Sequence, residues 1–279
     1  MTPAHKPAMN TPRLATGPTP APLGQPLRLP SLRRLSWGAA ACLAALVSVP
    51  ARASDASAAP TVAAWTPASL RSTLADLPRG DPAAGQRVHE QLFCASCHGD
   101  KGVAPTQNWP HLAGQRAAYT AKMLLDYQDK RRLEGKRAEL MHDIAVMMTP
   151  QHIADVAAFY AAQPAPQADG TPRPKPERQP NDVAAETLVR FGDKSRLITP
   201  CASCHGVAGQ GGKLEASALA GQNPLYFVRT LLDYQSGVRH NDSVKGMRAS
   251  AKKLSRSEIE ALATYYADLP GNHSAVTSR

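Results

Sequence analysis

The sequence predicts an all-α protein built from two tandem copies of one domain. Three observations lead to this fold class. A string of six residues occurs twice, and further matches follow at the same spacing. Each copy ends in an amphipathic segment with clear helix-start signals. No segment alternates apolar and polar residues for long enough to form a strand. With 279 residues, the chain is long enough for two domains of ordinary size.

The repeat has a constant offset of 107 positions over most of its length. It joins Cys-Ala-Ser-Cys-His-Gly at 94–99 and 201–206, Leu-Ala-Gly-Gln at 112–115 and 219–222, and Leu-Leu-Asp-Tyr-Gln at 124–128 and 231–235. After a one-residue deletion the apolar stripes of the final segments match at an offset of 106. We therefore predict domain 1 at residues 76–163 and domain 2 at residues 181–270.

Helix-start signals mark the last helix of each domain. Thr149 precedes a proline suited to the first helical position, and Ser255 and Glu258 form the pattern of a capping box. Earlier helices are expected near Ala83–Phe93 and Tyr119–Tyr127 in domain 1, and near Asp182–Phe191 and Tyr226–Tyr234 in domain 2.

The first 53 residues have the pattern of a secretory signal peptide. Two arginines precede a thirteen-residue apolar run, 37–49, and a small-x-small cleavage pattern ends at Ala53. The run is shorter than the roughly 20 residues of a transmembrane helix. We therefore expect cleavage after Ala53 and an exported protein, located in the periplasm, that does not span the membrane after cleavage.

The remaining segments outside the domains are predicted to be irregular. Residues 164–180 contain six prolines and are typical of a semi-rigid linker. Residues 54–75 are expected to form a flexible N-terminal segment, and 271–279 a loose tail.

The basic composition does not indicate a nucleic acid partner. The formal net charge is +10, but six basic residues and no acidic residue lie within residues 1–53. The rest of the chain has 26 basic and 22 acidic side chains, a net charge of +4. The electrostatic footprint of a nucleic-acid-binding protein is therefore missing.

Each repeated Cys-x-x-Cys-His string is the attachment sequence of a c-type haem. Two thiols three residues apart reach the two vinyl groups of the porphyrin, and the histidine is placed under the iron. The predicted attachment sites are Cys94, Cys97, Cys201 and Cys204, with His98 and His205 as iron ligands. Aromatic residues make up only 5% of the chain. Two covalently attached haem c groups would supply the large apolar surfaces that these few residues cannot provide for two domain cores.

Three other interpretations of the cysteines fit less well. A zinc site expects two Cys pairs about 15–20 residues apart. A thioredoxin-like pair expects flanking strands, and a disulfide does not explain the repeated histidine.

The second iron ligand of each domain is predicted to be a methionine. Met141 and Met247 take equivalent positions before the last helix of each domain. His142 and His240 are rival ligands, but neither has a histidine counterpart in the other repeat. The other methionines of domain 1 are expected to pack in the core. They are Met123, Met147 and Met148.

Together, these motifs resemble the di-haem cytochromes c of the cytochrome c4 family, in which two class I cytochrome c domains follow one another. The resemblance covers about residues 76–270. It implies that each domain wraps around one covalently bound haem and that the carbonyl of Pro110 accepts a hydrogen bond from His98. Domain 2 has Ser217 at the place of this proline, which puts the equivalent contact in doubt.

Iron held by His and Met has no open coordination site, so the expected function is one-electron transfer and not enzymatic catalysis. The resemblance implies a carrier in a periplasmic respiratory chain that donates to a membrane terminal oxidase or another redox protein. The alternative is the haem subunit of a periplasmic dehydrogenase, such as a flavocytochrome sulfide dehydrogenase. A di-haem peroxidase would need one haem with a displaceable ligand, which the paired methionines disfavour.

Overall fold

The computed structural model describes residues 62–166, 180–213 and 215–271. The predicted signal peptide and most of the predicted linker and tail lie outside these ranges. The described residues form helices, with one isolated β-bridge between Asp193 and Ile198. The all-α fold class is confirmed.

Six helices belong to the N-terminal half and five to the C-terminal half of the described chain. They are α1 (Pro67–Ala75), α2 (Pro82–Gln91), α3 (Ala95–His98), α4 (Ala117–Gln128), α5 (Gly135–Ala145), α6 (Pro150–Ala162), α7 (Pro180–Arg190), α8 (Ala202–His205), α9 (Pro224–Ser236), α10 (Gly246–Ala251) and α11 (Arg256–Asp268). The helices predicted from the sequence correspond to α2, α4, α6, α7, α9 and α11. The capping box at Ser255 is present, and Thr149 caps α6.

The first and last helices of each domain pack together and close the fold. In domain 1, α2 approaches α6 at Gly85, where an added Cβ would lie 2.1 Å from the carbonyl oxygen of Asp155. The buried Asp155 carboxylate also accepts a hydrogen bond from the backbone N–H of Asp81 at 2.7 Å. In domain 2, Val189 of α7 and Ile259 of α11 are fully buried in one apolar cluster.

Helix α1 lies within the segment 54–75 that was expected to be flexible. Its Leu70 is fully buried, and Thr66 forms a capping box with Ser69. Just before the helix, the Trp65 indole N–H donates to the carboxylate of Asp126 at 2.5 Å. The Arg131 guanidinium stacks 3.8 Å from the Trp65 ring. The expectation was wrong over Pro67–Ala75 because the Thr-Pro start signal, recognised at Thr149, also stands at Thr66.

Helices α5 and α10 were not predicted, because each begins at a glycine without a capping side chain. A glutamine holds the end of each. The Gln128 side chain donates to the carbonyls of Ala145 and Met148, both at 2.8 Å. Gln235 donates to the equivalent carbonyls of domain 2, at 3.1 and 2.8 Å. The repeated Leu-Leu-Asp-Tyr-Gln motif thus supplies the hydrogen bonds that terminate these helices.

The two domains contact each other through equivalent residues. The Gln115 side chain bonds the backbone of Ala218 in domain 2, and Gln222 bonds the backbone of His111 in domain 1. Both pairs are related by the 107-residue offset, so the interface has approximate two-fold symmetry. The last residue of the repeated Leu-Ala-Gly-Gln motif therefore joins the domains.

We predict that Gly85→Ala destabilises domain 1 by about 1–3 kcal/mol, because the new methyl group must displace the backbone of α6. Gly246→Ala is the matched control, since its nearest neighbour would be Val244 at 3.7 Å. Urea denaturation of the holoprotein compares the two variants. Equal unfolding midpoints would show that α2 and α6 do not depend on this close approach.

Candidate haem sites

The two Cys-x-x-Cys-His strings fold into short helical turns that present the histidines at their ends. His98 closes α3 and His205 closes α8, and both side chains are buried. Their Nδ1 atoms donate to backbone carbonyls, that of Pro110 at 3.0 Å and that of Ser217 at 2.9 Å. The replacement of proline by Ser217 therefore preserves the contact that the sequence left in doubt.

The histidines are suited to bind a metal ion through Nε2. Burial lowers the pKa of His98 and the pKa of His205, which favours the neutral ring. Because Nδ1 carries the proton donated to the carbonyl, the lone pair belongs to Nε2. This tautomer is the one that an imidazole ligand requires.

The four cysteines line the same region, and none of them forms a disulfide within the described residues. Burial raises the pKa of Cys94 and raises the pKa of Cys201 to about 11. No group of three His, Cys, Asp or Glu side chains within the described residues could hold a metal ion by itself.

A single cavity of about 1000 Å³ passes through both domains. His98 and Met141 line it in domain 1, and His205 and Met247 line it in domain 2. The rest of its wall is mainly apolar, including Leu124 and other buried side chains of the helices. Such a cavity accepts a large apolar group in each domain.

The structure distinguishes the two predicted methionine ligands from the two histidines that were the alternative ligands. Met141 lies on α5 and Met247 on α10, each four residues before the end of its helix. His142 and His240 are not among the cavity-lining residues, and the His142 ring donates to the carbonyl of Tyr127 at 2.7 Å. Met123 and Met148 are buried as predicted, whereas Met147 is 55% exposed and is not a core residue.

Two buried arginines at the interface were missed in the sequence. Arg132 and Arg239 are equivalent by the 107-residue offset, and both line the cavity. Arg132 pairs with the Glu134 carboxylate at 2.7 Å, whereas Arg239 donates to neutral groups, among them the amide oxygen of Asn241 at 3.1 Å. The two guanidinium groups also lie over the rings of Tyr127 and Tyr234, respectively. The sequence could have indicated these two residues, because an arginine occurs at both positions that the 107-residue offset relates.

The Arg239 guanidinium crosses the interface and lacks a full set of partners. It donates to the hydroxyl of Tyr119 at 3.3 Å, while its Nη1 atom has no hydrogen-bond partner. A buried cation of this kind requires a negative partner. The propionate groups of a haem are carboxylates, so the cavity and this donor both fit the cofactor that the cysteine motifs indicate.

Comparisons with known proteins agree with this geometry. Residues 82–162 match the family described as Cytochrome c. Residues 197–265 match the family described as Cytochrome C oxidase, cbb3-type, subunit III. The chain is 34% identical over 188 residues to cytochrome c4 of Thiocapsa roseopersicina, covering 67% of this chain and 91% of that protein. The chain belongs to the cytochrome c4 family.

Other members of the family show the same extent of similarity. Cytochrome c4 of Pseudomonas aeruginosa is 35% identical over 192 residues, covering 67% of this chain and 87% of that protein. The crystal structure of reduced recombinant cytochrome c4 from Pseudomonas stutzeri superposes with a TM-score of 0.57 at 30% identity. That match covers 68% of this chain and 99% of the solved chain.

Family membership determines the cofactor and the general activity of this chain. It carries two covalently attached haem c groups, one in each cytochrome c domain, and it is a di-haem electron carrier. In the described part of the chain, every helix is too short or too polar to cross a membrane.

We predict that Arg239→Gln lowers the potential of at least one haem by about 59 mV, the one-electron equivalent of about 1.4 kcal/mol. A buried cation beside the cavity stabilises the reduced, more negative state of a haem, and the variant removes it. Potentiometric titration measures the shift.

Two further variants test whether the shift in potential comes from the positive charge of Arg239. Arg239→Lys keeps the cation and is expected to titrate within about 20 mV of wild type. Lys136→Gln removes a cation that is 93% exposed, and it should change neither potential because water and salt screen it. An Arg239→Gln protein with wild-type potentials would contradict the placement of this charge beside a haem.

Proposed function

We propose that His98 and Met141 ligate the iron of domain 1, and that His205 and Met247 ligate the iron of domain 2. The attachment points are Cys94 and Cys97 in domain 1, and Cys201 and Cys204 in domain 2. Two observations together carry this assignment. Met123, Met141 and Met148 line the cavity with His98, and of these three only Met141 has a methionine at the equivalent position of domain 2, Met247, which lines the cavity with His205. Gln128 and Gln235 then hold the helices that bear the methionines.

This ligand set limits the chemistry to electron transfer. A haem supplies a one-electron couple, and a thioether ligand raises its potential. The residues of this chain bind the haem, orient its ligands and exclude water. The carbonyls of Pro110 and Ser217 orient the histidines, and the apolar side chains around Leu124 exclude water. If His98 and Met141, and likewise His205 and Met247, bind the iron, the metal would have no free position for a substrate.

The shared cavity also favours electron exchange between the two haems. Residues of both domains line it, so the two haem sites adjoin at the interface. The interface that holds them is built from buried hydrogen bonds by Gln115 and Gln222 and from the Arg239–Tyr119 contact. We therefore infer that the two haems act as one two-electron unit.

We predict that Met141→Ala and Met247→Ala each open one iron to carbon monoxide. Loss of the thioether leaves a vacant axial position and lowers the potential of that haem. Carbon monoxide difference spectra of the reduced protein measure the change, with half of the haem responding in each variant.

Met147→Ala is the matched control, because Met147 is exposed and does not line the cavity. It should bind no carbon monoxide. If neither Met141→Ala nor Met247→Ala binds the gas, the ligand assignment is wrong.

We propose further that the mature protein works in the periplasm and donates electrons to a membrane terminal oxidase. The predicted signal peptide supports export, and the family supports the role of carrier. A second candidate comes from two relatives named as electron acceptors of thiosulfate dehydrogenase. The one from Stutzerimonas stutzeri is 30% identical over 214 residues, covering 74% of this chain and 94% of that protein.

A solved thiosulfate dehydrogenase from Marichromatium purpuratum also superposes, with a TM-score of 0.56 and 28% identity. The match covers 68% of this chain and 40% of that one. These similarities support the alternative function, in which the chain is the haem subunit of a dehydrogenase. They favour thiosulfate dehydrogenase as that enzyme.

Stopped-flow experiments with the purified holoprotein distinguish the two roles. The reduced protein is mixed with oxygenated membranes that contain a terminal oxidase, and the oxidised protein is mixed with a thiosulfate dehydrogenase and thiosulfate. Fast cyanide-sensitive reoxidation without fast thiosulfate-dependent reduction supports the oxidase donor. The reverse pattern supports the dehydrogenase partner and overturns the oxidase proposal.

A further inference from the structure

The two interface glutamines each bind the backbone N–H and the backbone carbonyl of one residue of the other domain. Gln115 Oε1 accepts from the Ala218 N–H at 2.8 Å, and its Nε2 donates to the Ala218 carbonyl at 3.2 Å. Gln222 does the same to His111, at 2.9 and 3.1 Å. Both glutamines are buried, with 6% and 7% exposure. Water therefore does not compete for these hydrogen bonds.

The bound N–H groups belong to the peptides that orient the haem-ligating histidines. The carbonyl of Pro110 and the N–H of His111 are two ends of one planar peptide group. That carbonyl accepts the hydrogen bond from His98, while the N–H donates to Gln222. A chain of three polar groups thus connects Gln222 of domain 2 with the histidine of domain 1.

The same chain exists in the opposite direction. The carbonyl of Ser217 and the N–H of Ala218 form one peptide group. The carbonyl accepts from His205, and the N–H donates to Gln115 of domain 1. The arrangement therefore holds at both ends of the two-fold interface.

We infer that Gln115 and Gln222 are positioning residues that act in trans, each on the proximal histidine of the other domain. This inference rests on the proposed ligand role of His98 and His205. A hydrogen bond donated by the N–H of a peptide polarises its carbonyl and makes that carbonyl a better acceptor. A better acceptor at Nδ1 makes the imidazole a stronger donor to iron, which favours the oxidised state.

Loss of a glutamine therefore raises the potential of the haem in the other domain. The two effects should differ in size. In domain 1, Asn223 also holds the loop before Pro110, since its amide donates to the carbonyl of Trp109 at 2.7 Å and to that of Thr106 at 3.2 Å. Proline also restricts φ at position 110, whereas Ser217 does not have this restriction. Removal of Gln115 should therefore raise the potential of the domain 2 haem by more than removal of Gln222 raises that of the domain 1 haem.

Gln222→Leu and Gln115→Leu in the full-length holoprotein test the inference. Leucine keeps the volume of the side chain and adds no iron ligand. The potential of each haem is followed through its paramagnetically shifted methyl proton signals during redox titration. Nuclear Overhauser contacts to Tyr160 in domain 1 and Tyr266 in domain 2, which both line the cavity, assign the signals.

Gln222→Leu is expected to raise the potential of the domain 1 haem, and Gln115→Leu that of the domain 2 haem. The expected change is about threefold in the equilibrium constant for electron exchange between the haems, or about 28 mV at 59 mV per tenfold. Gln222→Glu keeps the acceptor oxygen and adds negative charge, so the domain 1 potential should fall. If Gln222→Leu does not assemble with haem, Gln222→Glu still tests the effect of this hydrogen bond on the domain 1 potential.

Arg229→Lys is the matched control for a weakened interface. It keeps the positive charge beside the cavity and disturbs the hydrogen bond that the Arg229 guanidinium donates to the carbonyl of Asn108 at 2.9 Å across the same interface, without touching either clamped peptide. Its two potentials should stay at wild-type values. Shifts confined to the domain that carries the substitution, equal shifts of both haems, or no shift in any variant would overturn the inference. A wild-type protein without two six-coordinate haems would instead refute the proposed function.

Discussion

The filling of a cavity at the centre of each domain is the constraint on which the rest of this structure depends. The helices of each domain pack against each other, but they leave one space of about 1000 Å³ that residues of both domains line. Protein interiors are normally close-packed, and an empty apolar space of this size would forfeit a large part of the burial energy. The covalent haem groups supply the missing surface, and the cysteine motifs determine where they are attached.

The two-fold relation between the domains explains which short motifs repeat. The final glutamine of Leu-Leu-Asp-Tyr-Gln holds the helix that bears the proposed methionine ligand. The final glutamine of Leu-Ala-Gly-Gln reaches the peptide that orients the opposite histidine. Each repeated motif therefore serves either the haem site of its own domain or that of the other domain.

The domains differ where charges are buried between them. Lys122 and Asp126 form a buried ion pair at 2.6 Å, and the Lys122 ammonium also donates to the backbone carbonyl of Asn241. The residues equivalent to this pair in domain 2 are Arg229 and Asp233, which are only partly buried. Helix α1 and Trp65 cover the Asp126 side of domain 1 alone. The two haems therefore occupy electrostatically different surroundings, despite the same ligand types.

The sequence predicted the fold class, the repeat and six of the helices, because strong start signals and long apolar stripes mark them. It did not predict α5 and α10, since each begins at a glycine without a capping side chain and buries few of its residues. The Pro110 carbonyl was foreseen only through family resemblance. The trans contacts of Gln115 and Gln222 depend on how two folded domains dock, which no local pattern encodes.

Mass spectrometry of proteolytic fragments from the mature holoprotein tests the central claim most directly. The account predicts one haem-bearing fragment that contains Cys94 and Cys97 and a second that contains Cys201 and Cys204, with both cysteines of each fragment consumed as thioethers. A chain that carries a single haem, or a fragment in which either pair remains as free thiols, would contradict it.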